Sequence, residues 1–156
     1  MKEDALVSRV QLALNVTDLE AAIGFYSKLF GTDPAKVRPG YANFAVADPP
    51  LKLVLVEGAE GGTLNHLGVE VESSDAVTTT QRRLSDEGLA TATEDNVACC
   101  YARQDKVWVD DPDGAPWEVY TVLGDVEMPA CELRAVAPDT DPLCCASAPE
   151  SASRCC

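Results

Sequence analysis

Gln11, His66 and Glu118 are three side chains of this sequence that could share one metal ion. Gln11 and His66, the only histidine, open two similar segments, Gln-Leu-Ala-Leu-Asn-Val and His-Leu-Gly-Val-Glu-Val, while Glu118 lies in the later segment Pro-Trp-Glu-Val-Tyr. An imidazole, a carboxylate and an amide form a close variant of the facial triad that holds non-haem iron(II) for oxygen chemistry. A lone histidine in a strand can also be a purely structural residue, but the register of His66 with Gln11 and the acid at Glu118 favour a metal site.

The adjacent pair Cys99-Cys100 is the second group with chemistry of its own. The chain has seven cysteines, six of them in adjacent pairs, which close only strained rings and make poor disulfide staples. We therefore expect free thiols, whose thiolates are soft ligands. The pair follows Glu94-Asp95-Asn96 in a stretch where the second half of the chain is longer than the first, so we predict a loop that bears the pair. Buried cysteines can also act as small hydrophobic residues, but this polar lead-in is a poor core context.

An internal repeat sets the positions of the three polar residues. In the first half, residues 10–16 alternate like a strand, and a helix should follow with Thr17-Asp18-Leu19-Glu20 as its capping box and Gly31 as its end. Residues 41–46 and 51–56 read as strands, with a possible short strand at 36–38. The inner stripe of this helix should comprise Leu19, Ile23, Tyr26 and Phe30.

The second half repeats this plan from His66 onward. A strand should cover 66–71, a helix should start after Ser74-Asp75 and stop near Gly88, and the closing strand should carry Glu118. When the closing segments are aligned on Pro50 and Pro116, Lys52 occupies the position of Glu118. The stripe of the second helix should comprise Ala76, Val77, Thr80 and Leu84.

Side-chain alternation puts the polar residues next to small ones. Gln11 shares a strand face with Ala13, and His66 shares one with Gly68, so space remains above each polar group. If the two halves pair about a pseudo-twofold axis, then Gln11, His66 and Glu118 could converge on one cation. Trp108, Trp117 and Tyr120 could line a substrate pocket, although aromatic residues in strands are more often core.

Composition limits the partners of the chain. The 156 residues suffice for one domain, and the net charge of -14 opposes binding to nucleic acid or to anionic membrane surfaces. The sequence has neither an apolar segment of about 18 residues nor a secretory signal at its start, so we expect a cytoplasmic protein. Residues 125–156 lack a hydrophobic period and should form a disordered tail. Its pairs Cys144-Cys145 and Cys155-Cys156 could capture soft metal species or have no essential role.

The strand and helix order, the segment Phe25–Gly31 and the turn 111–114 before Trp117-Glu118 resemble the vicinal-oxygen-chelate superfamily of glyoxalases, bleomycin-resistance proteins and extradiol dioxygenases. The resemblance covers residues 7–124 and implies an α+β fold of two tandem βαβββ modules, about 7–58 and 63–124, that form one cup-shaped mixed sheet. It also implies metal ligands at Gln11, His66 and Glu118. Glyoxalase-type sites usually add a fourth ligand from the first closing strand, which Lys52 cannot supply while protonated.

Three segments, 65–71, 99–102 and 104–109, are similar to a narrower group of cadmium- and arsenic-induced proteins, which includes iron-dependent carbon-arsenic lyases. This resemblance implies an Fe(II) cofactor, dioxygen, and a trivalent organoarsenical held by Cys99 and Cys100. The alternatives are a non-catalytic cadmium- or arsenite-binding thiol protein and a glyoxalase-like lyase or thiol transferase. The resemblance does not decide between methyl and aryl arsenicals as substrates, between iron and other divalent metals, or between a monomer and a homodimer.

Overall fold

The computed structural model describes residues 8–99 and 101–125. Within them, two helices and eight strands follow one another in an order that confirms the predicted repeat. They are β1 (Arg9–Val16), α1 (Leu19–Phe30), β2 (Lys36–Arg38), β3 (Tyr41–Val46), β4 (Leu51–Glu57), β5 (Thr63–Glu70), α2 (Ser74–Asp86), β6 (Ala92–Cys99), β7 (Ala102–Asp110) and β8 (Pro116–Asp125). Neither of these two helices is long and apolar enough to cross a membrane.

All of these strands join one curled, mixed sheet of eight strands in the order β2-β3-β4-β1-β5-β8-β7-β6. Within each half, the first strand lies parallel to the closing strand, β1 beside β4 and β5 beside β8. The halves meet where β1 and β5 pair antiparallel. The predicted α+β fold, two tandem βαβββ modules sharing one sheet, is therefore confirmed.

A local pseudo-twofold axis passes between β1 and β5. Leu12 and Leu67, which occupy equivalent places in the two repeats, lie opposite each other. On either side of this pair, Gln11 faces Gly68 and Ala13 faces His66. Because side chains alternate along a strand, these four residues all lie on one face of the sheet. We call this inner face the cup.

The helices cover the outer face of the sheet. Leu19 of α1 packs with Ala42, Phe44, Leu53 and Leu55 of β3 and β4 in a buried apolar cluster. The other predicted stripe residues of α1, Ile23, Tyr26 and Phe30, pack against this cluster. In α2, Val77 is the buried member of the predicted stripe.

The helix ends differ slightly from the prediction. Asp18, not Thr17, is the N-cap of α1, because its side chain accepts a hydrogen bond from the backbone N–H of Ala21. Ser73 caps α2 in the same way. Gly31 ends α1 in the left-handed conformation, as predicted.

The longer second half forms a strand where a loop was predicted. Residues Ala92–Cys99 form β6, an eight-residue edge strand, whereas its counterpart β2 has three residues. The loop prediction was therefore wrong for this segment, and Cys99 ends a strand. Asp125 belongs to β8, where it lies opposite Ala102, so the predicted tail does not begin at residue 125. Residues 126–156, with both tail cysteine pairs, lie outside the described residues.

Candidate metal centre

The three side chains predicted to share a metal meet at hydrogen-bonding distance in the cup. Nε2 of Gln11 lies 2.7 Å from Oε1 of Glu118 and 3.1 Å from Nε2 of His66, and the last two atoms are 3.2 Å apart. All three residues are buried, with exposed fractions of 3%, 2% and 3% for Gln11, His66 and Glu118. Polar side-chain atoms from β1, β5 and β8 thus meet at one point although 107 residues separate Gln11 from Glu118.

Strand register and one glycine make this convergence possible. Gln11 lies opposite Gly68, and Gly68 lies opposite Glu118 on the next strand, so the three residues form a row across β1, β5 and β8. A Cβ atom on Gly68 would lie 3.0 Å from Cγ of Glu118 and 3.2 Å from Nε2 of Gln11. A larger residue there would push the two side chains apart. The sequence predicted space above His66 because Gly68 has no side chain. The side chains of Gln11 and Glu118 occupy that space.

Asn65 orients the imidazole of His66. Oδ1 of Asn65 lies 2.8 Å from Nδ1 of His66, while Nδ2 of Asn65 donates to Asn15. The amide oxygen can only accept, so Nδ1 of His66 carries a proton and donates it to Asn65. Metal-binding histidines commonly donate their second ring N–H in this way. The local geometry of His66 therefore fits a metal ligand, and the sequence offered no sign of this role for Asn65.

Lys106 keeps Glu118 ionised. Nζ of Lys106 donates to Oε2 of Glu118 at 2.7 Å, and the side chains are only 1% and 3% exposed. Burial raises the pKa of Glu118, but the contact with His66 and the charge of Lys106 outweigh it and lower the pKa to about 2. Glu118 is therefore a carboxylate at neutral pH, with Oε2 on the lysine and Oε1 directed at the other two residues. Sequence reasoning missed Lys106, although its place between Gln104 and Trp108 put it on an inward strand face.

We expect Lys106→Met to destabilise the metal-free domain by about 3–5 kcal/mol, because removal of one partner of a buried ion pair leaves the other charge uncompensated. The measurement is urea unfolding of the metal-free protein. Lys28→Met is the matched control, since Lys28 is exposed on α1, and its effect should stay within about 0.5 kcal/mol. Equal unfolding midpoints for the two variants would contradict this role of Lys106.

The hydroxyl of Tyr120 completes the hydrogen bonding of Gln11. It donates to Oε1 of Gln11 at 2.6 Å and lies 3.5 Å from Oε2 of Glu70. Burial, together with the charges of Glu70 and Glu118, raises the pKa of Tyr120, so the hydroxyl is neutral. Tyr120 is fully buried. Its ring is core, as the common behaviour of strand aromatics predicted, but its hydroxyl also holds a candidate ligand.

Among the described residues of the first half, the one equivalent in position to Glu118 carries no donor atom, and it is not the residue that was predicted. Ala13 faces Val54 on β4, whereas Gly68, its equivalent, faces Glu118 on β8. The structural counterpart of Glu118 is therefore Val54, and the alignment with Lys52 was wrong by two residues. Lys52 is buried elsewhere in the cup, with Nζ 5.1 Å from the centre of the Tyr120 ring. The Val54 side chain has no donor atom, so this position supplies no further metal ligand.

The donor set is mixed, with one imidazole, one carboxylate and one amide. Within residues 8–99 and 101–125, no three His, Cys, Asp or Glu side chains are grouped to hold a metal ion. A metal bound by Gln11, His66 and Glu118 would therefore depend on the amide oxygen. Amide, imidazole and carboxylate suit iron(II) and several other divalent ions.

Tyr101, the residue after the cysteine pair, packs in the cup against residues of the first half of the chain. Tyr101 is 7% exposed and packs with Ala13, Val54 and Tyr41. Its hydroxyl donates to the carbonyl of Pro39 at 3.1 Å, and its own carbonyl accepts from Nζ of Lys36. The second half thus reaches across to the first at Tyr101. Cys99 ends β6 before the turn at Tyr101, and Cys100 lies outside the described residues.

Comparisons with known proteins agree with this architecture. Residues 8–119 match the Glyoxalase/Bleomycin resistance protein/Dioxygenase superfamily. Over 141 residues, 89% of each chain, the sequence is 62% identical to a trivalent organoarsenical cleaving enzyme of Thermomonospora curvata. Over 122 residues, 78% of this chain and 80% of the other, it is 66% identical to the cadmium-induced protein CadI of Mycobacterium tuberculosis.

Among solved structures, the Mn(II)-bound glyoxalase of Novosphingobium aromaticivorans superposes with a TM-score of 0.56 at 20% identity, over 78% of this chain and 42% of that one. At this identity the likeness shows the shared fold. The match over residues 8–119, the two similar relatives and the paired βαβββ modules lead to one conclusion. The chain belongs to the glyoxalase, bleomycin resistance protein and dioxygenase superfamily.

Proposed function

We propose that this protein is a non-haem iron(II)-dependent dioxygenase that cleaves the carbon-arsenic bond of trivalent organoarsenicals. The observation that carries the proposal is the convergence of Gln11, His66 and Glu118 in the cup, a donor set close to that of iron(II) oxygenases. The name of the Thermomonospora curvata relative, a trivalent organoarsenical cleaving enzyme, supports the choice of substrate.

In this proposal each residue of the centre has a defined task. Nε2 of His66, Oε1 of Glu118 and the amide oxygen of Gln11 hold the metal, while Asn65 and Lys106 orient the first two. Iron(II), when bound, supplies the redox chemistry that activates dioxygen. The burial of all three side chains keeps bulk water away from the reacting groups.

Cys99 and Cys100 are proposed to hold the arsenical. A trivalent monomethyl arsenical keeps one arsenic-carbon bond and has two exchangeable valences, so two thiolates can bind it fully. The pair is tethered directly to Tyr101, which packs in the cup, since consecutive Cα atoms lie only about 3.8 Å apart. A cavity of about 210 Å³ lies beside this turn, lined by Tyr41, Lys52 and Ala102 among others but by none of the three candidate metal ligands.

The proposed overall reaction balances with one dioxygen for each bond cleaved. For a methyl arsenical, the carbon-arsenic bond breaks, the carbon leaves as formaldehyde with one oxygen atom, and arsenic takes the other as a hydroxyl. One methyl hydrogen moves to that hydroxyl. Arsenic remains trivalent, and the four electrons lost by carbon reduce dioxygen. Holding the substrate next to the metal centre supplies proximity, which can contribute several orders of magnitude to the rate.

We expect the metal-free protein, reconstituted anaerobically with one equivalent of iron(II) and given monomethyl arsenite, to consume one dioxygen per arsenite and per formaldehyde formed when air is admitted. The measurements are an oxygen electrode trace and arsenic speciation on the same sample. Manganese(II), cobalt(II) and nickel(II) are the comparison metals. If the protein binds the arsenical but neither converts it nor consumes oxygen, it is a thiol-binding protein and not a dioxygenase. If it converts the arsenical without consuming oxygen, its activity is glyoxalase-like.

A further inference from the structure

We propose that the cavity of about 210 Å³ beside Tyr41 and Lys52 is a subsite for a carboxylate, and that Lys52 selects substrates whose organic group carries one. The identity of the substrate rests on the proposed function, because an organoarsenical is the molecule that would bring such a group into the cup. The binding of a carboxylate in the cavity does not depend on that function.

The cavity adjoins both the thiol pair and the row of candidate metal ligands. Ala102, which lines the cavity, is separated from the cysteine pair by Tyr101 alone. Lys52, which also lines it, lies opposite Gln11 where β4 pairs with β1, so the two side chains share the inner face of neighbouring strands about 4.8 Å apart. A substrate held by the thiols and directed at the metal can therefore extend its organic group into this cavity.

The volume of the cavity suits an organic group larger than methyl. A cavity of about 150 Å³ is enough to bind benzene, and this one measures about 210 Å³. Tyr41, Ala45 and Val122 give its lining apolar surface, which a ring can contact. The cavity therefore has room for an aromatic ring with one small substituent.

The charge of the lining favours an anionic substituent. The lining contains three cations, Arg9, Lys36 and Lys52, and two carboxylates, Glu70 and Asp125. Arg9 contacts Glu70 at 2.7 Å and Lys36 contacts Asp125 at 2.6 Å, so three cations share two carboxylates. The cavity is thus positive by one charge within a protein whose net charge is -14. An additional carboxylate would balance this charge.

Lys52 is the cation whose surroundings strengthen such a contact most. It is buried, whereas Arg9 and Lys36 are only half-buried, and its Nζ lies 5.1 Å from the centre of the Tyr120 ring. A hydrogen bond between an ammonium and a carboxylate is stronger in such surroundings than in water. Asn43, also buried, adds a side-chain amide to the same lining. The geometry therefore offers a carboxylate one buried cation and one buried amide.

The first arm of the test measures carboxylate binding alone, by calorimetric titration of benzoate into the full-length, metal-free protein. Benzoate should bind at one site, and Lys52→Met should weaken this binding about 10–100-fold, the usual range for a hydrogen bond to a charged group. Benzamide, a neutral ring of similar size, should bind the wild type no more tightly than benzoate binds the variant. Lys28→Met, at an exposed position on α1, is the matched control and should keep the wild-type affinity.

A second reading makes this arm independent of how well the variant folds. Urea unfolding shows whether Lys52→Met retains a cooperative transition. In the wild type, nuclear Overhauser contacts between the benzoate ring and the Lys52 side chain should locate the ligand without any substitution. The subsite is overturned if the wild type binds no benzoate, if these contacts are missing, or if folded Lys52→Met binds benzoate as tightly as the wild type.

The second arm compares phenyl and 4-carboxyphenyl trivalent arsenicals as substrates of the iron-loaded protein. The KM of the wild type should be about 10–100-fold lower for the carboxylated substrate, and this ratio should approach one in Lys52→Met. Benzoate binding at Lys52 together with equal KM values would overturn the substrate assignment and leave a site for free carboxylates. Absence of turnover with both arsenicals would overturn the proposed function, while the benzoate titration would still decide whether the subsite exists.

Discussion

His66→Ala should lose both iron binding and carbon-arsenic cleavage. His66 supplies the only imidazole of the chain, and its Nε2 lies within 3.2 Å of both other candidate ligands. Without it, one carboxylate and one amide remain, a set too weak to retain iron(II). Loss of an outer-shell partner alone typically costs 10–100-fold in metal affinity, so loss of the ligand itself should exceed about 100-fold. The measurements are iron content after desalting and arsenite formation on the same preparation.

The control for this variant must separate loss of metal from loss of fold. His66 is buried and its ring contacts Trp108 edge-on at 5.4 Å, so its truncation also leaves a cavity. Urea unfolding of both metal-free proteins measures that cost, and a cooperative transition in the variant shows that the fold survives. Leu64→Ala, an exposed position on the same strand, should keep iron and activity. One equivalent of tightly bound iron in folded His66→Ala would exclude the proposed centre.

The candidate ligands could be predicted because the repeat and the strand period both survive in the fold. Gln11 and His66 have equivalent places in β1 and β5, and the antiparallel pairing about Leu12 and Leu67 brings them to one face. A strand period of two fixes the face of a side chain even when its register is uncertain. The prediction therefore required only that β1 and β5 pair in the sheet. It did not require knowledge of which of their residues lie opposite each other.

The same period explains an error of two residues. The alignment on Pro50 and Pro116 treated them as equivalent, but Pro50 lies in the turn before β4, while Pro116 is the first residue of β8 and lies opposite Asp110. Lys52 was therefore matched to Glu118 in place of Val54. Lys52 and Val54 both face the cup. The error therefore assigned the wrong residue to the position equivalent to Glu118, but it assigned the correct face of the sheet.

Other features depended on contacts between distant strands, which the sequence does not display. Lys106 and Tyr120 act on Glu118 and Gln11 across β7, β8 and β1, and nothing local distinguishes them from other inward-facing residues. The predicted loop failed for a different reason. Polar residues such as Asp95 and Asn96 are typical of loops, yet they are also tolerated on an exposed edge strand, and a bulge between Glu94 and Val97 gives Asn96 its positive φ.

Cys99→Ser and Cys100→Ser should abolish turnover while leaving iron content near that of the wild type. The proposal assigns substrate capture to the thiols and metal binding to Gln11, His66 and Glu118, which lie on β1, β5 and β8. Serine keeps the size of cysteine but offers a hydroxyl, a far weaker ligand for trivalent arsenic than a thiolate. Loss of one of two soft ligands should therefore reduce cleavage by more than about 100-fold, as expected when an orienting interaction is removed from a proximity-driven reaction.

The decisive measurement determines iron content, arsenical binding and arsenite formation on one sample of each variant. Cys131→Ser is the matched control, because it removes a thiol that belongs to neither the proposed capture pair nor the tail pairs. Normal cleavage in either Cys99→Ser or Cys100→Ser would exclude thiol capture and leave the metal centre intact. Joint loss of iron and cleavage would place the cysteines in the metal site itself, since a group that only captures substrate has no reason to alter the metal content of the resting protein.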